Sequence, residues 1–238
     1  MSIVNVVGST IAKEADHTIY TMAGPEIAVA TTKAFSAQLV LLYALAIRFA
    51  GKLEKITPQT EHEMISEIKS LPDKASDLLT QVDFIQKYAS ECVGYKSIFF
   101  IGRNIDYAIA LEGSLKLKEI SYIHSEAYAG GELKHGTISL VDENTLVVSI
   151  ACWQRLYDKI LSNVEQVISR GAKVLFVGNC INAEPNDKLS RITLPKINEL
   201  FSPSLSVIVL QLFSYYVAAN KGLDIDKPRN LAKSVTVE

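Results

Sequence analysis

From residue 97 to residue 221 the chain alternates short, continuously apolar runs with longer helical stretches, and this pattern constrains the fold more than any other feature. SIFFIG (97–102), TLVVSI (145–150), AKVLFVG (172–178) and RITLPKI (191–197) read as strands. RNIDYAIALEGSLKLKEISYIHSEAY (103–128), DKILSNVEQVISR (158–170) and SVIVLQLFSYYVAANK (206–221) read as helices. Runs without polar alternation suit strands covered on both faces, and parallel strands need crossover helices to join them. The expected fold is therefore α/β, a three-layer parallel sheet flanked by helices.

The first ninety-odd residues are lopsided. Two brief strand-like runs, Ile3 to Val7 and Thr18 to Met22, stop at Gly8-Ser9 and at Ala23-Gly24-Pro25. One long apolar helix is expected from about Thr32 to Leu53. Thr57 before Pro58 is a candidate cap, and two helices with a stop near Pro72 run on to Cys92. Two short strands are too few for a self-sufficient sheet. The chain is thus expected to open inside a domain whose earlier strands lie elsewhere, with a small decorated domain as the alternative. The partition expected is 1–72, then 73–225, then a tail of 226–238.

Composition removes several function classes. With 24 basic and 26 acidic residues the formal charge is -2, which argues against a nucleic-acid partner. A hydrophobic share of 48% supports a full core and excludes a disordered or fibrous chain. The three cysteines, Cys92, Cys152 and Cys180, lack any CxxC spacing, and the four histidines form no HExxH. Neither a disulfide framework nor a metal centre is expected, and a reducing, cytoplasmic setting fits best. MSIVNVV has no basic leader region, and the longest apolar stretch, Leu39 to Ile47, is short for a bilayer and is followed by Arg48. No membrane partner is expected.

Three constellations are candidates for chemistry. Glu112, Lys116 and Glu119 are spaced by four and three residues, which puts them on one helix face. Leu111, Leu115 and Ile120 are the neighbouring positions expected to seat that helix on a core. A carboxylate pair around an ammonium can hold a proton acceptor ready while the lysine stabilises charge on oxygen. The ordinary alternative is a ladder of surface ion pairs. AYAGGELKHG (127–136) surrounds His135 with three glycines; it is either a site for proton transfer near neutral pH or a simple glycine-rich turn. The charged tail carries the apolar anchors Leu231, Ala232, Val235 and Val237, so it either frays or docks and sets Lys233 in a cleft as an amine nucleophile. No glycine-rich phosphate loop is present, and GSTIAKE (8–14) is too generic to serve as one.

AGPEIAVATTKAF (23–35), LEGSLKLKEISYIHSEAYAGGELKHG (111–136) and DKPRNLAKSVTVE (226–238) together closely resemble the glutamine–fructose-6-phosphate transaminase family, the glucosamine-6-phosphate synthases. The likeness runs through the whole chain and is to the isomerase part, two sugar isomerase (SIS) domains in tandem. It implies an SIS-type fold with one complete domain preceded by the C-terminal part of another. It implies Glu119 as the base that moves a proton between C1 and C2 of the open-chain sugar, and Lys233 as the Schiff-base lysine. His135 is implied to assist ring opening in the neighbouring subunit of a homodimer, with Glu112 and Lys116 lining the same site. Glu26, Val29 and Ala232 are the implied substrate contacts, with fructose 6-phosphate or glucosamine 6-phosphate bound and no cofactor required. The family's serine- and threonine-rich phosphate loops and its glutaminase domain have no counterpart in this sequence, so weak or absent turnover is expected of this chain alone. The alternatives are a non-catalytic unit completed by another polypeptide, and a stand-alone sugar-phosphate isomerase or deaminase.

Overall fold

The computed structural model describes residues 1–179 and 183–233; Cys180, Val235 and Val237, named above, lie outside the described residues. The C-terminal unit is a five-stranded parallel sheet of order β4-β3-β5-β6-β7, formed by Ser97–Gly102 (β3), His124–Ala129 (β4), Leu146–Ala151 (β5), Lys173–Gly178 (β6) and Leu189–Thr193 (β7). Residues 98 to 101 of β3 are all buried, as a strand covered on both faces requires. Alternate side chains feed two cores. Ile98 and Phe100 point into one with Val148 and Leu175, packed by Val82–Glu91 (α5), Ile105–Ser121 (α6) and Pro203–Asn220 (α8). Phe99 and Ile101 point into the other with Val147 and Phe176, covered by Ile160, Val164 and Val167 of Tyr157–Ile168 (α7). The three-layer α/β expectation holds.

The N-terminal part is thinner. Ser2–Val4 (β1) and Thr18–Tyr20 (β2) pair in parallel with each other, on either side of the short helix Thr10–Glu14 (α1). Both strands are shorter than their apolar runs, which leaves Val6, Val7 and Met22 exposed. Lys33–Lys52 (α2) follows, then Pro58–Lys69 (α3) and Leu71–Leu79 (α4). Thr57 caps α3 as expected, its Oγ1 accepting from Thr60 N at 3.1 Å with Pro58 in the first turn. Pro72 opens α4 and does not end a helix, so the stretch expected to hold two helices holds three, broken at Ser70 and at Thr80–Gln81. At 20 residues, α2 is longer than its apolar stretch and, by length and composition, apolar enough to cross a membrane. In this fold Ile47 of α2 is buried in the first core, and Tyr43 meets Phe201 edge to face with ring centroids 5.1 Å apart.

Two further expectations are corrected. The helix expected over 103–128 stops at Ser121, because Tyr122 takes a left-handed conformation (φ 59°, ψ 16°) and HSEAYA pairs with β3 as the edge strand β4. His124 therefore opens a strand, its Nδ1 3.1 Å from Ser97 Oγ. Leu111 and Leu115 are 47% and 42% exposed and do not seat α6; Ile109, Ala110, Gly113, Leu117 and Ile120 do. RITLPKI contributes strand only to Thr193.

Candidate active site

α6 carries the first half of the site. Its Glu112, Lys116 and Glu119 share one face, and Lys116 Nζ lies 3.6 Å from Glu112 Oε1 and 2.7 Å from Glu119 Oε2. Only 5% of the Lys116 side chain is exposed, so this is no solvated ladder of surface pairs. Burial pushes the Glu112 carboxyl above its usual range; the Lys116 ammonium opposes that shift and the Glu119 carboxylate adds to it. A buried ammonium between two carboxylates is held in place by attraction on both sides and keeps Glu119 as an acceptor at a fixed point.

The tail supplies the second half, and its described part, 226–233, docks. Lys233 Nζ lies 3.1 Å from Glu26 Oε2 and donates to Val29 O at 3.2 Å and to Thr31 Oγ1 at 3.0 Å. Val29 N in turn donates to Asp226 O at 3.0 Å, so the 25–32 loop and the tail hold one another. Lys33 Nζ donates to Pro25 O at 2.6 Å and closes that loop on itself. Leu231 and Ala232 are both exposed, so the apolar anchoring expected of them is not what holds the tail; polar and ionic contacts do.

Two recesses that share a wall lie beside these groups, one bordered by Glu26 and the other by Lys116. Ala28, Ala30, Thr32 and Asp226 border both a 230 Å³ recess beside Glu26 and a 160 Å³ cavity whose other wall includes Lys116, Ile120 and Gln211. A larger recess of 680 Å³ between Glu91, Tyr95 and Lys173 lies at the N-terminal ends of the strands and holds none of these groups. His135 stands apart. It is the exposed last residue of the 3-10 turn Gly130–His135, whose Gly130 and Leu133 are buried; Gly130 lies against Asn163 of α7, whose Oδ1 accepts from Arg103 Nε and Nη2 at 3.1 and 2.9 Å. A Cβ on Gly130 would fall 2.6 Å from that oxygen, so the turn needs glycine there. Among the described residues no hydrogen bond or ion pair joins His135 to Lys116 or Lys233.

Sequence reasoning missed Thr31, Asp226, Tyr122, Arg229 and Gln211. Only Asp226 carried a local signal, lying in the charged turn DIDKP. Thr31 is defined by Lys233, 202 residues away, Tyr122 and Arg229 by each other across 107 residues, and Gln211 only by the cavity it walls.

Sheet order, buried strands and the docked tail define a class, and the chain belongs to the SIS domain family, whose sequence pattern matches residues 1–48 and 93–221. It is similar to the glutamine–fructose-6-phosphate aminotransferase [isomerizing] of Clostridium tetani, 53% identical over 241 residues, and to that of Methanosarcina mazei, 51% identical over 240 residues. Each comparison covers 100% of this chain and 39% of the relative, so the chain spans about two fifths of the length of these curated relatives. Among solved structures it resembles the C-terminal domain of glucosamine-fructose-6-phosphate aminotransferase from Francisella tularensis, with TM-score 0.91 and 37% identity over 94% of this chain and 64% of that one. Glucosamine-6-phosphate deaminase from Thermotoga maritima is more distant, with TM-score 0.71 and 26% identity over 98% of this chain and 65% of that one.

Proposed function

We propose that the chain is the isomerase portion of a glutamine–fructose-6-phosphate aminotransferase. It would carry the ketose–aldose step by which fructose 6-phosphate and glutamine-derived ammonia become glucosamine 6-phosphate. The observation that carries this reading is the docking of Lys233 beside Glu26, Val29 and Thr31, on the loop whose Ala28, Ala30 and Thr32 wall the cavity that Lys116 borders.

The Lys233 amine adds to the C2 carbonyl of the open-chain sugar and water leaves, giving an imine. Ammonia then displaces the lysine. Glu119 takes a proton from C1, giving the enolamine, and returns one to C2 as the O1 hydroxyl gives up its proton and becomes the aldehyde oxygen, Lys116 stabilising the negative charge that develops on O1 as that proton leaves. Glu112 holds Lys116 from its other side. Glu26, Val29 and Ala232 contact the sugar. We place His135 in the neighbouring subunit's site, where it assists ring opening in a homodimer; its exposure on the turn Gly130–His135 supports this. The two buried free thiols, Cys92 and Cys152, fit a reducing cytoplasm.

Turnover by this chain alone is expected to be weak, since each charge-assisted phosphate hydrogen bond that is missing forfeits roughly 1.5–3 kcal/mol. The test is a coupled assay of fructose 6-phosphate conversion to glucose 6-phosphate across high substrate concentrations, with Lys233→Ala as control. Borohydride trapping of the imine, read by peptide mass, reports the same lysine without turnover. Conversion lost in K233A, or a sugar adduct on Lys233, supports the reading. Conversion indifferent to K233A, or no adduct at saturating sugar phosphate, overturns it.

A further inference from the structure

Four residues before its amine, the tail is fastened to the end of the helix that carries Glu119. The backbone N–H of Arg229 donates to Tyr122 Oη at 2.7 Å, and the Arg229 guanidinium carbon stands 4.2 Å from the centre of the Tyr122 ring. Tyr122 is the residue that ends α6, three positions beyond Glu119, and it does so in a left-handed conformation that a bulky side chain rarely adopts. The same conformation recurs at Asn230 (φ 62°), a residue type that tolerates it, immediately after the stacked arginine. Upstream, Asp224 Oδ1 accepts from the N–H groups of Asp226 and Lys227, and Pro228 is buried. The segment 224–233 is thus fastened by its own turn, the Val29–Asp226 bond and the Tyr122–Arg229 stack, besides the contacts of Lys233 itself.

We propose that Tyr122 and Arg229 form a clamp that positions Lys233 relative to Glu119. They are positioning residues and do not touch the reacting atoms. The inference rests on the reading of Lys233 as the imine-forming amine. Physically, a lysine on a flexible stem at a chain end gains reactivity only if its backbone is held within reach, because effective concentration falls steeply with misplacement. Arg229 is exposed, so its contact with the ring orients the tail more than it adds to any core. A cation over an aromatic face at the C-terminal end of a 17-residue helix is also favoured by the helix dipole. One residue thereby ties the base on α6 to the amine on the tail.

The test compares the unmodified chain with Tyr122→Phe and Arg229→Ala in two measurements. Amide hydrogen exchange is read over residues 224–233, and the rate of borohydride trapping of fructose 6-phosphate on Lys233 is read by mass. R229A is expected to speed tail exchange and slow trapping by roughly ten- to a hundredfold, with unchanged thermal melting. Y122F keeps the ring and loses the acceptor, so it is expected to fall between the two and to speed exchange at the Arg229 amide first. Variants that exchange and trap like the unmodified chain overturn the clamp. If the unmodified chain traps no sugar, the isomerase reading fails, and tail exchange alone then decides whether the clamp exists. Because R229A alters an exposed tail residue, a folding defect in Y122F leaves the test intact.

Discussion

Lys116 is held between two carboxylates with little access to water, and its removal leaves Glu112 and Glu119 partly buried and facing each other. Lys116→Met keeps the unbranched stem, one atom shorter, and deletes the charge. It is expected to destabilise the fold by about 3 kcal/mol, the typical cost of stripping one partner from a buried pair, measured by urea denaturation. Adding Glu112→Gln should recover part of that loss; a K116M protein as stable as the original would show the triad to be solvated after all. A second buried charge lies outside the site. Asp106 is 3% exposed and its Oδ2 accepts from Cys152 N at 2.9 Å. Burial pushes its carboxyl up to about 6, the Cys152 and Trp153 backbone bonds opposing the shift. The folded state therefore holds this proton to higher pH than the unfolded chain does. Its contribution is fully present below the unfolded value near 3.8 and is lost as pH rises through about 6. Asp106→Asn keeps an acceptor for Cys152 N and removes the titration. The stability difference between the two proteins is expected to move by on the order of 2 kcal/mol in favour of D106N from pH 4 to pH 7, and a pH-independent difference would refute the assignment.

At the level of elements, the position of α6 depends on how closely it lies on α8. A Cβ on Gly113 would come 2.5 Å from Leu210 Cδ1 and 3.1 Å from Phe100 Cε1, and both side chains are fully buried. Gly113→Ala gains up to about 1 kcal/mol of helix propensity, yet overpacking is expected to outweigh it and leave a net loss of about 1–2 kcal/mol. A calorimetric melting temperature at or above the original's would show that the two helices part without cost. The same helix marks where the sequence stops being legible. Strands β3, β5 and β6 announce themselves as unbroken apolar runs between turns, and the Glu112–Lys116–Glu119 face follows from helical spacing alone. The end of α6 does not, because residues 103–128 carry no proline or glycine stop beyond Gly113 and HSEAYA lacks a buried strand's apolar content. As an edge strand, β4 takes its conformation from pairing with β3, a tertiary fact. The tail is the other limit: its local composition leaves fraying and docking equally open, and only the meeting of Lys233 with a loop two hundred residues earlier decides between them.

Across the whole molecule the candidate site joins two regions of unequal solidity. Among the first 33 residues only Ser2 and Ala30 are buried, whereas β3, β5 and β6 are buried almost throughout. Local opening follows buried contact, so amides of β1 and β2 are expected to exchange fastest among the strands and those of β3, β5 and β6 slowest. Glu26 and Val29 belong to the loosely held region, while Glu119 rides on the firm one. Ala30 packs directly on Ile120 of α6 and Ala218 of α8, and the Val29–Asp226 bond and the Lys233 contacts add a second link through the tail. A sugar phosphate that engages both sides should stabilise the loose region more than the firm one, because ordering is still to be gained only there. Exchange at the Val29 amide is therefore expected to slow several-fold at saturating fructose 6-phosphate, with β5 and β6 unchanged. In Lys233→Ala that protection should shrink, since the sugar then touches one side without drawing the tail across. Equal slowing in every strand would mean that the ligand stabilises the fold globally, and no slowing at Val29 would mean that the 25–32 loop takes no part in binding.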